Sequence, residues 1–272
     1  MNIQELVKDK FTHRGMELLM SKAILDCKDL SKSYAHEGIQ NHVLKHIDLE
    51  IRQGEFTVIM GPSGSGKSTL LYCISGMESC SGGSVYLHGD DITKFNENRL
   101  SDIRLQNFGF VFQQIHLVSN LSLLENIVIP GLSRKSGSNK EVYAKADSLL
   151  QTFLLEEAKN RLPSQVSGGE QQRAAIARAL INQPDIIFAD EPTGALNQNN
   201  STIVLDLFTR LNQEGQTIVM VTHDRRAALR GGRIIYLLDG RIHGELTLAP
   251  YDEDMLKSRE TQVNAWLESL SW

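Results

Sequence analysis

Cysteine is scarce in this chain. Cys27, Cys73 and Cys80 are the three thiols among 272 residues, and no two stand as C-x-x-C. An odd count without paired spacing argues against a disulfide frame or a zinc site and predicts reduced cytosolic thiols. Each is read as small buried apolar filler. Long apolar runs are also missing, and nothing in the sequence is long enough to span a bilayer. Met1 to Lys22 is mixed and charged, with no apolar core, so no signal peptide is predicted. A basic excess is absent as well. Lys and Arg total 28 against 33 Asp and Glu, a formal net charge of −5, which removes the overall bias expected of a nucleic-acid binder. The eight histidines show no metal spacing. There is no internal repeat and no low-complexity tract. The remaining composition, 41% hydrophobic and 22% charged, is that of an ordinary soluble globular protein. The length suits one large domain or two small ones.

Strand and helix patterns alternate along the chain. Ala23-Ile24-Leu25-Asp26-Cys27 reads as a strand start. Ile47, Leu49 and Ile51 alternate with His46, Asp48 and Glu50, the pattern of a half-buried strand. Short strands are expected at 56–60, 84–87 and 108–112. Residues from about 116 to 165 read as mostly helical, broken by a polar loop at 133–139. The apolar runs 185–189 and 217–221 have the pattern of fully buried strands, and helical patterns at about 170–182 and 200–213 separate them. Strands return at 234–247. This alternation predicts an α/β fold around a parallel sheet.

Residues 61–68, Gly61-Pro62-Ser63-Gly64-Ser65-Gly66-Lys67-Ser68, fit G-x-x-x-x-G-K-[ST]. They lie between an apolar strand and a helix, which is the context a phosphate-binding P-loop needs. Backbone N–H groups from Gly64 to Thr69 are expected to converge on phosphate oxygens, helped by the positive end of the following helix. Lys67 is expected to reach the β- and γ-phosphates, and Ser68 to hold Mg²⁺. A carboxylate for the metal and a base for water are also required. Asp190-Glu191 closes the buried run 186–189 and supplies both: Asp190 as metal ligand, Glu191 as the group that polarises the attacking water. The alternative for this acidic pair is a helix N-cap.

Val166-Ser167-Gly168-Gly169-Glu170-Gln171-Gln172-Arg173, followed by Ala174-Ala175-Ile176-Ala177-Arg178-Ala179-Leu180, resembles the signature motif of ATP-binding cassette (ABC) ATPases. The resemblance covers about residues 23–247. It implies a P-loop NTPase with a RecA-like parallel core, an antiparallel β subdomain and a helical signature subdomain at about 115–180. The cassette is expected over 23–250, between an N-terminal extension (1–22) and a C-terminal amphipathic helix (251–272). ATP and Mg²⁺ are the implied ligands. Tyr34 stands where the family stacks an aromatic on adenine, and Gln113 is in the Q-loop position, with Gln114 one residue away as the alternative. Gln113 is expected to sense the γ-phosphate and Mg²⁺. His223 is the switch histidine and Asn197 lies in the D-loop. Nucleotide contacts are therefore expected from Tyr34, Gly61, Ser63, Gly64, Ser65, Gly66, Lys67, Ser68, Thr69 and Gln113. Metal contacts are expected from Ser68, Gln113 and Asp190. Glu191 and His223 carry catalysis. Ser167, capping its helix, with Gly168, Gly169 and Glu170, would complete the pocket of a second copy in a head-to-tail dimer.

Asn197 replaces the family's usual Asp and removes a charge from the dimer interface, which can slow or recouple hydrolysis. Glu170 for Gln and Val166 for Leu are minor departures. The segments around Gln113 and Asn197 look like cassettes of the macrolide-export and lipoprotein-release group, most like the bacitracin-resistance type. That resemblance implies a separate permease, a place on the cytoplasmic face of the membrane and a role in antimicrobial-peptide resistance. A regulatory or force-transmitting cassette that moves no substrate is the alternative. Translation-factor cassettes carry tandem domains and DNA-repair cassettes long coiled coils, and neither pattern is present. Two further questions stay open at this stage. Met20 can be the initiator, or residues 1–19 can be a real helix. Leu256, Val263, Trp266, Leu267 and Leu270 share one helical face, which can dock on its own domain or on a second subunit.

Overall fold

The computed structural model describes residues 23–36, 39–134 and 138–270. The N-terminal extension, the choice of initiator, part of the predicted polar loop and Trp272 lie outside the described residues.

Residues 23–100 give β1 (Ala23–His36), β2 (Ile39–Arg52), β3 (Phe56–Met60), α1 (Lys67–Ile74), β4 (Gly82–Leu87), β5 (Asp90–Asp91) and the start of α2 (Glu97–Asn107). Next come β6 (Phe108–Phe112), α3 (Leu123–Ser133), α4 (Asn139–Thr152), α5 (Gly168–Leu180), β7 (Ile186–Asp190) and α6 (Gln198–Gln213). The chain closes with β8 (Thr217–Val221), the short α7 (Arg225–Ala228), β9 (Arg233–Leu238), β10 (Arg241–Thr247) and α8 (Leu256–Ser269). Two compact units result. Among the described residues, the continuous unit holds Ser101–Gln216, and the discontinuous unit combines those from Ala23 to Leu100 with those from Thr217 onward.

In the discontinuous unit, β3 pairs in parallel with both β8 and β9. Every residue of β3 and β8 is buried, as their unbroken apolar sequences require. β10 runs antiparallel to β9. A separate antiparallel sheet has the order β2-β1-β4-β5. Its two long strands carry several register shifts, and these bends let each strand run for 14 residues. The alternation expected at 47–51 holds, with Ile47, Leu49 and Ile51 buried.

The apolar face of α8 is covered within its own unit. Val263 and Leu267 are each 1% exposed, Trp266 meets Tyr236 of β9 edge-on, and Leu270 lies against Gly244 of β10. Arg259 fixes the helix. Its guanidinium donates to Leu229 O at 3.0 Å, to Gly231 O at 2.6 Å and to Ala249 O.

In the continuous unit, β6 and β7 are parallel, with Phe108 opposite Ile186 and Phe112 opposite Asp190. Phe108, Phe110 and Phe188 form an aromatic cluster beside them. The region expected to be helical between 116 and 165 contains α3 and α4, each opened by a capping box, Ser122–Glu125 and Ser138–Glu141. No periodicity in the sequence announces α2, which buries no residue. One expectation about the thiols fails. Cys27 and Cys73 are buried, but Cys80 sits half-exposed on a polar turn, so it is not core filler.

Candidate nucleotide site

β3 ends at Met60, and the glycine loop turns the chain into α1. A methyl group on Gly61 would stand 2.1 Å from Leu237 O, so only glycine lets the loop press this closely on β9. Gly66 has φ +99 at the N-cap of α1. Because the cap is glycine, it has no side chain to bond the first N–H groups of α1, and the first turn carries no acid. Its positive end is therefore neither capped nor neutralised by its own sequence. Ser65 Oγ is buried without a hydrogen-bond partner. Lys67 is folded back over the loop, and its Nζ donates to Gly61 O and Pro62 O, each at 2.9 Å. Ser63 and Gly64 form the exposed tip. An ammonium, uncapped N–H groups and an unsatisfied hydroxyl in one loop fit a polyphosphate and the hydroxyl-bound metal that accompanies it.

Tyr34 reaches the same helix from β1. Thr69, in the first turn of α1, lies beside its side chain. The Tyr34 hydroxyl donates to Glu78 Oε2 at 2.8 Å. Glu78 in turn pairs with Lys32 at 2.9 Å, and the Lys32 ammonium lies 4.8 Å from the centre of the Tyr34 ring. Burial opposes ionisation of Glu78, but the hydrogen bonds from Tyr34 and Lys32 outweigh it and hold the carboxyl below its usual range. Lys32 and Glu78, which sequence reading missed, thus clamp an aromatic ring beside the glycine loop.

His223 follows β8. Ile59 is paired with Val221, so Gly61 and His223 each lie two residues beyond that pair, at the same end of adjacent strands. His223 is exposed, which excludes the reading of a core histidine.

The remaining expected residues belong to the continuous unit. The pairing of Phe112 with Asp190 delivers Gln113 and Glu191 side by side at the ends of β6 and β7. Asp190 is buried and Glu191 has φ +46, a left-handed conformation that a glutamate adopts only when its surroundings impose it. No sequence signal reports that strain. Gln113 lies over Gly194, where an added methyl would be 2.8 Å from its Nε2. The helix-cap alternative for Asp190-Glu191 is answered by Asn197, which caps α6 and accepts from Asn200 N at 3.0 Å. Asn does this as well as Asp.

Ser167 caps α5, as expected, and Glu170 completes a capping box that was not. Glu170 accepts from Ser167 N at 2.8 Å and from Ser167 Oγ at 2.6 Å, and its own N–H donates to Ser167 Oγ at 3.3 Å. These bonds keep the Glu170 carboxyl below its ordinary range. Gly169 is packed on Asn200, whose amide would be 2.6 Å from an added methyl. The segment after Gln113 is held by two residues the sequence did not single out. Arg178 of α5 donates to His116 O at 2.7 Å and Ile115 O at 3.1 Å. Asn126 of α3 accepts from Val118 N at 2.7 Å. Behind this segment is a cavity of about 320 Å³ lined by Phe108, Phe110, Phe112, Val118, Ile129 and Arg178 among others.

A glycine phosphate loop, a strand-end Asp-Glu pair and a capped signature helix define an ABC ATPase cassette. Residues 44–194 match the ABC transporter family model, and the chain belongs to that family. It is 43% identical over 216 residues to the lipoprotein-releasing system ATP-binding protein LolD 1 of Chlorobium chlorochromatii, covering 79% of this chain and 87% of that protein. It is 42% identical over 219 residues to the macrolide export ATP-binding/permease protein MacB of Mannheimia succiniciproducens, covering 80% of this chain. This chain spans only 34% of the length of that MacB protein. The dimeric structure of MJ0796, a bacterial ABC transporter cassette, superposes with a TM-score of 0.77 at 42% identity, over 84% of this chain and all of that one. A second MJ0796 structure, a dimeric post-hydrolysis state bound to ADP and Pi, gives the same TM-score at 41% identity, with the same coverage. No helix among the described residues is long and apolar enough to cross a membrane.

Proposed function

We propose that this chain is the ATP-hydrolysing subunit of a bacterial transporter, working as a head-to-tail pair of copies beneath a separate membrane permease. The observation that carries the reading is the uncapped, acid-free N-terminus of α1 under the glycine loop, with Lys67 folded across it. Its N–H groups and Lys67 bind the phosphates, and Tyr34 stacks on adenine. Mg²⁺, when bound, screens the phosphate charge and draws electron density from the γ-phosphoryl. Ser68, Gln113 and Asp190 would hold it. Glu191 accepts the proton of the attacking water and His223 donates to the γ-phosphate oxygens. Ser167, Gly168, Gly169 and Glu170 serve the partner copy's nucleotide, and Asn197 faces the dimer interface. ATP favours the closed pair, so binding closes it and hydrolysis releases it.

The subunit works at the cytoplasmic face of the membrane, held there by the permease. The likeness to MacB and LolD supports a permease of that group, and export or detoxification of antimicrobial peptides is the substrate class we assign. The test uses Glu191→Gln in the native host. The variant should bind ATP, lose about a hundred- to ten-thousandfold in turnover, run as a dimer with Mg-ATP, and bring down a permease with a large extracellular domain. Normal turnover would remove Glu191 from its role. A soluble ATP dimer without a membrane partner would sink the transporter reading.

A further inference from the structure

The Tyr34 clamp has a second tenant, the thiol pair Cys73 and Cys80. Cys73 sits in the last turn of α1. The chain then reverses at once, with Met77 N and Glu78 N both donating to Tyr72 O at 2.9 and 3.1 Å. That reversal brings the Cys80 side chain back beside Cys73. Both sulfurs are free thiols, Cys73 buried and Cys80 half-exposed. The turn between them is the one that holds the aromatic ring. Glu78 accepts from Tyr34, and Ser79 O accepts from Lys32 Nζ at 2.7 Å.

We propose that Cys73 and Cys80 are a reversible thiol–disulfide pair whose oxidation loosens Tyr34 and weakens nucleotide binding. The binding half of this inference rests on the adenine-stacking role given to Tyr34 above. The asymmetry of the pair sets the order of events. The neighbouring Cys73 thiol and the nearby Lys32 ammonium favour the Cys80 thiolate, whereas the adjacent Cys80 and burial keep Cys73 protonated. Cys80 therefore attacks a peroxide first. Its sulfur takes one oxygen, the O–O bond breaks, and the other oxygen leaves as water, giving a sulfenic acid oxidised by two electrons. Cys73 sulfur then attacks Cys80 sulfur. The S–S bond forms, and the sulfenic oxygen leaves with the Cys73 proton as water. The sum is two thiols and one hydrogen peroxide to one disulfide and two waters, and a reduced dithiol reverses it by exchange. Closing this contact to the S–S bond length of about 2.05 Å draws Cys80 toward α1 and pulls Glu78 and Ser79 with it.

The purified reduced protein is treated with hydrogen peroxide, its remaining thiols are alkylated, and peptides are mapped by mass spectrometry. A Cys73–Cys80 cross-link with Cys27 still alkylated is expected, along with trapping of Cys80 as the sulfenic acid by dimedone in Cys73→Ala. The dissociation constant of a fluorescent ATP analogue should rise about threefold to tenfold on oxidation, the worth of one aromatic contact. It should return with dithiothreitol, and Cys80→Ser should be unmoved by peroxide. No cross-link would overturn the pair outright, since that readout needs no nucleotide. A cross-link with unchanged affinity would overturn the link to Tyr34. Failure of the reduced protein to bind the analogue at all would instead overturn the nucleotide reading and, with it, the effect on binding.

Discussion

Two helices of this protein are assigned to anions, and their N-termini are built in opposite ways. α1 starts from a glycine, has no side-chain cap and has no acid in its first turn. α5 starts from Ser167, and its first turn already contains the carboxylate of Glu170, bonded to the Ser167 N–H and hydroxyl. The first leaves its N–H groups and dipole for an incoming ligand, while the second has spent part of that potential internally. On the proposed roles, a permanent phosphate cradle and a contact made only when a second copy arrives call for different starting states. α1 is left open at its N-terminus. α5 is satisfied by itself and remains a stable helix when no partner is present.

Breaking the open end should have the largest effect. Lys67→Ala removes the ammonium over the loop, and ATP affinity should fall about a hundredfold or more in a calorimetric titration. Retained affinity would mean the loop's N–H groups suffice alone. Giving α1 the acid that α5 carries is the next step. Thr69→Asp places a carboxylate in its first turn, and affinity should drop about tenfold, with a recovery in high salt. Removing the cap of α5 comes third. Ser167→Ala should cost about 1 kcal/mol of stability, visible as a lower melting temperature, while ATP affinity of the isolated copy stays put. A large loss of affinity there would show that the two ends are not separable.

The smallest effect concerns the continuous unit away from α5. Burial, reinforced by Arg134, lowers the Lys145 ammonium from 10.5 to about 8, and its Nζ donates to Ile181 O. A lysine lowered in the folded state leaves the unfolded chain holding the extra proton between about pH 8 and 10.5. Stability attributable to Lys145 therefore rises with pH across that window and is flat below it. Denaturant unfolding of wild type and Lys145→Met at several pH values should show the wild-type slope and its absence in the variant.

Sequence gave the core strands because an unbroken apolar run such as 217–221 can only be buried. It gave the glycine loop because spacing alone carries that chemistry. The Ser167 cap was legible too, since a serine just before a helical run is a local signature. Missed features depend on distance or on strain. α2 buries nothing, so no periodicity announces it. Glu191 takes a left-handed backbone that no residue pattern encodes. Arg178, Asn126, Lys32 and Glu78 act through partners remote in sequence, and the meeting of Cys73 with Cys80 depends on a tight reversal after α1.

The split of one unit around the other also orders events on the ribosome. β3, the strand that carries the glycine loop, is flanked by β8 and β9, and Gly61 rests on the carbonyl of Leu237. Both supports are translated after the whole continuous unit. The continuous unit, Ser101–Gln216, is an uninterrupted stretch that can begin to order as it emerges. The nascent glycine loop, by contrast, waits without a floor until Leu237 has left the exit tunnel. A growing chain therefore stays blind to cellular ATP until β9 has been made.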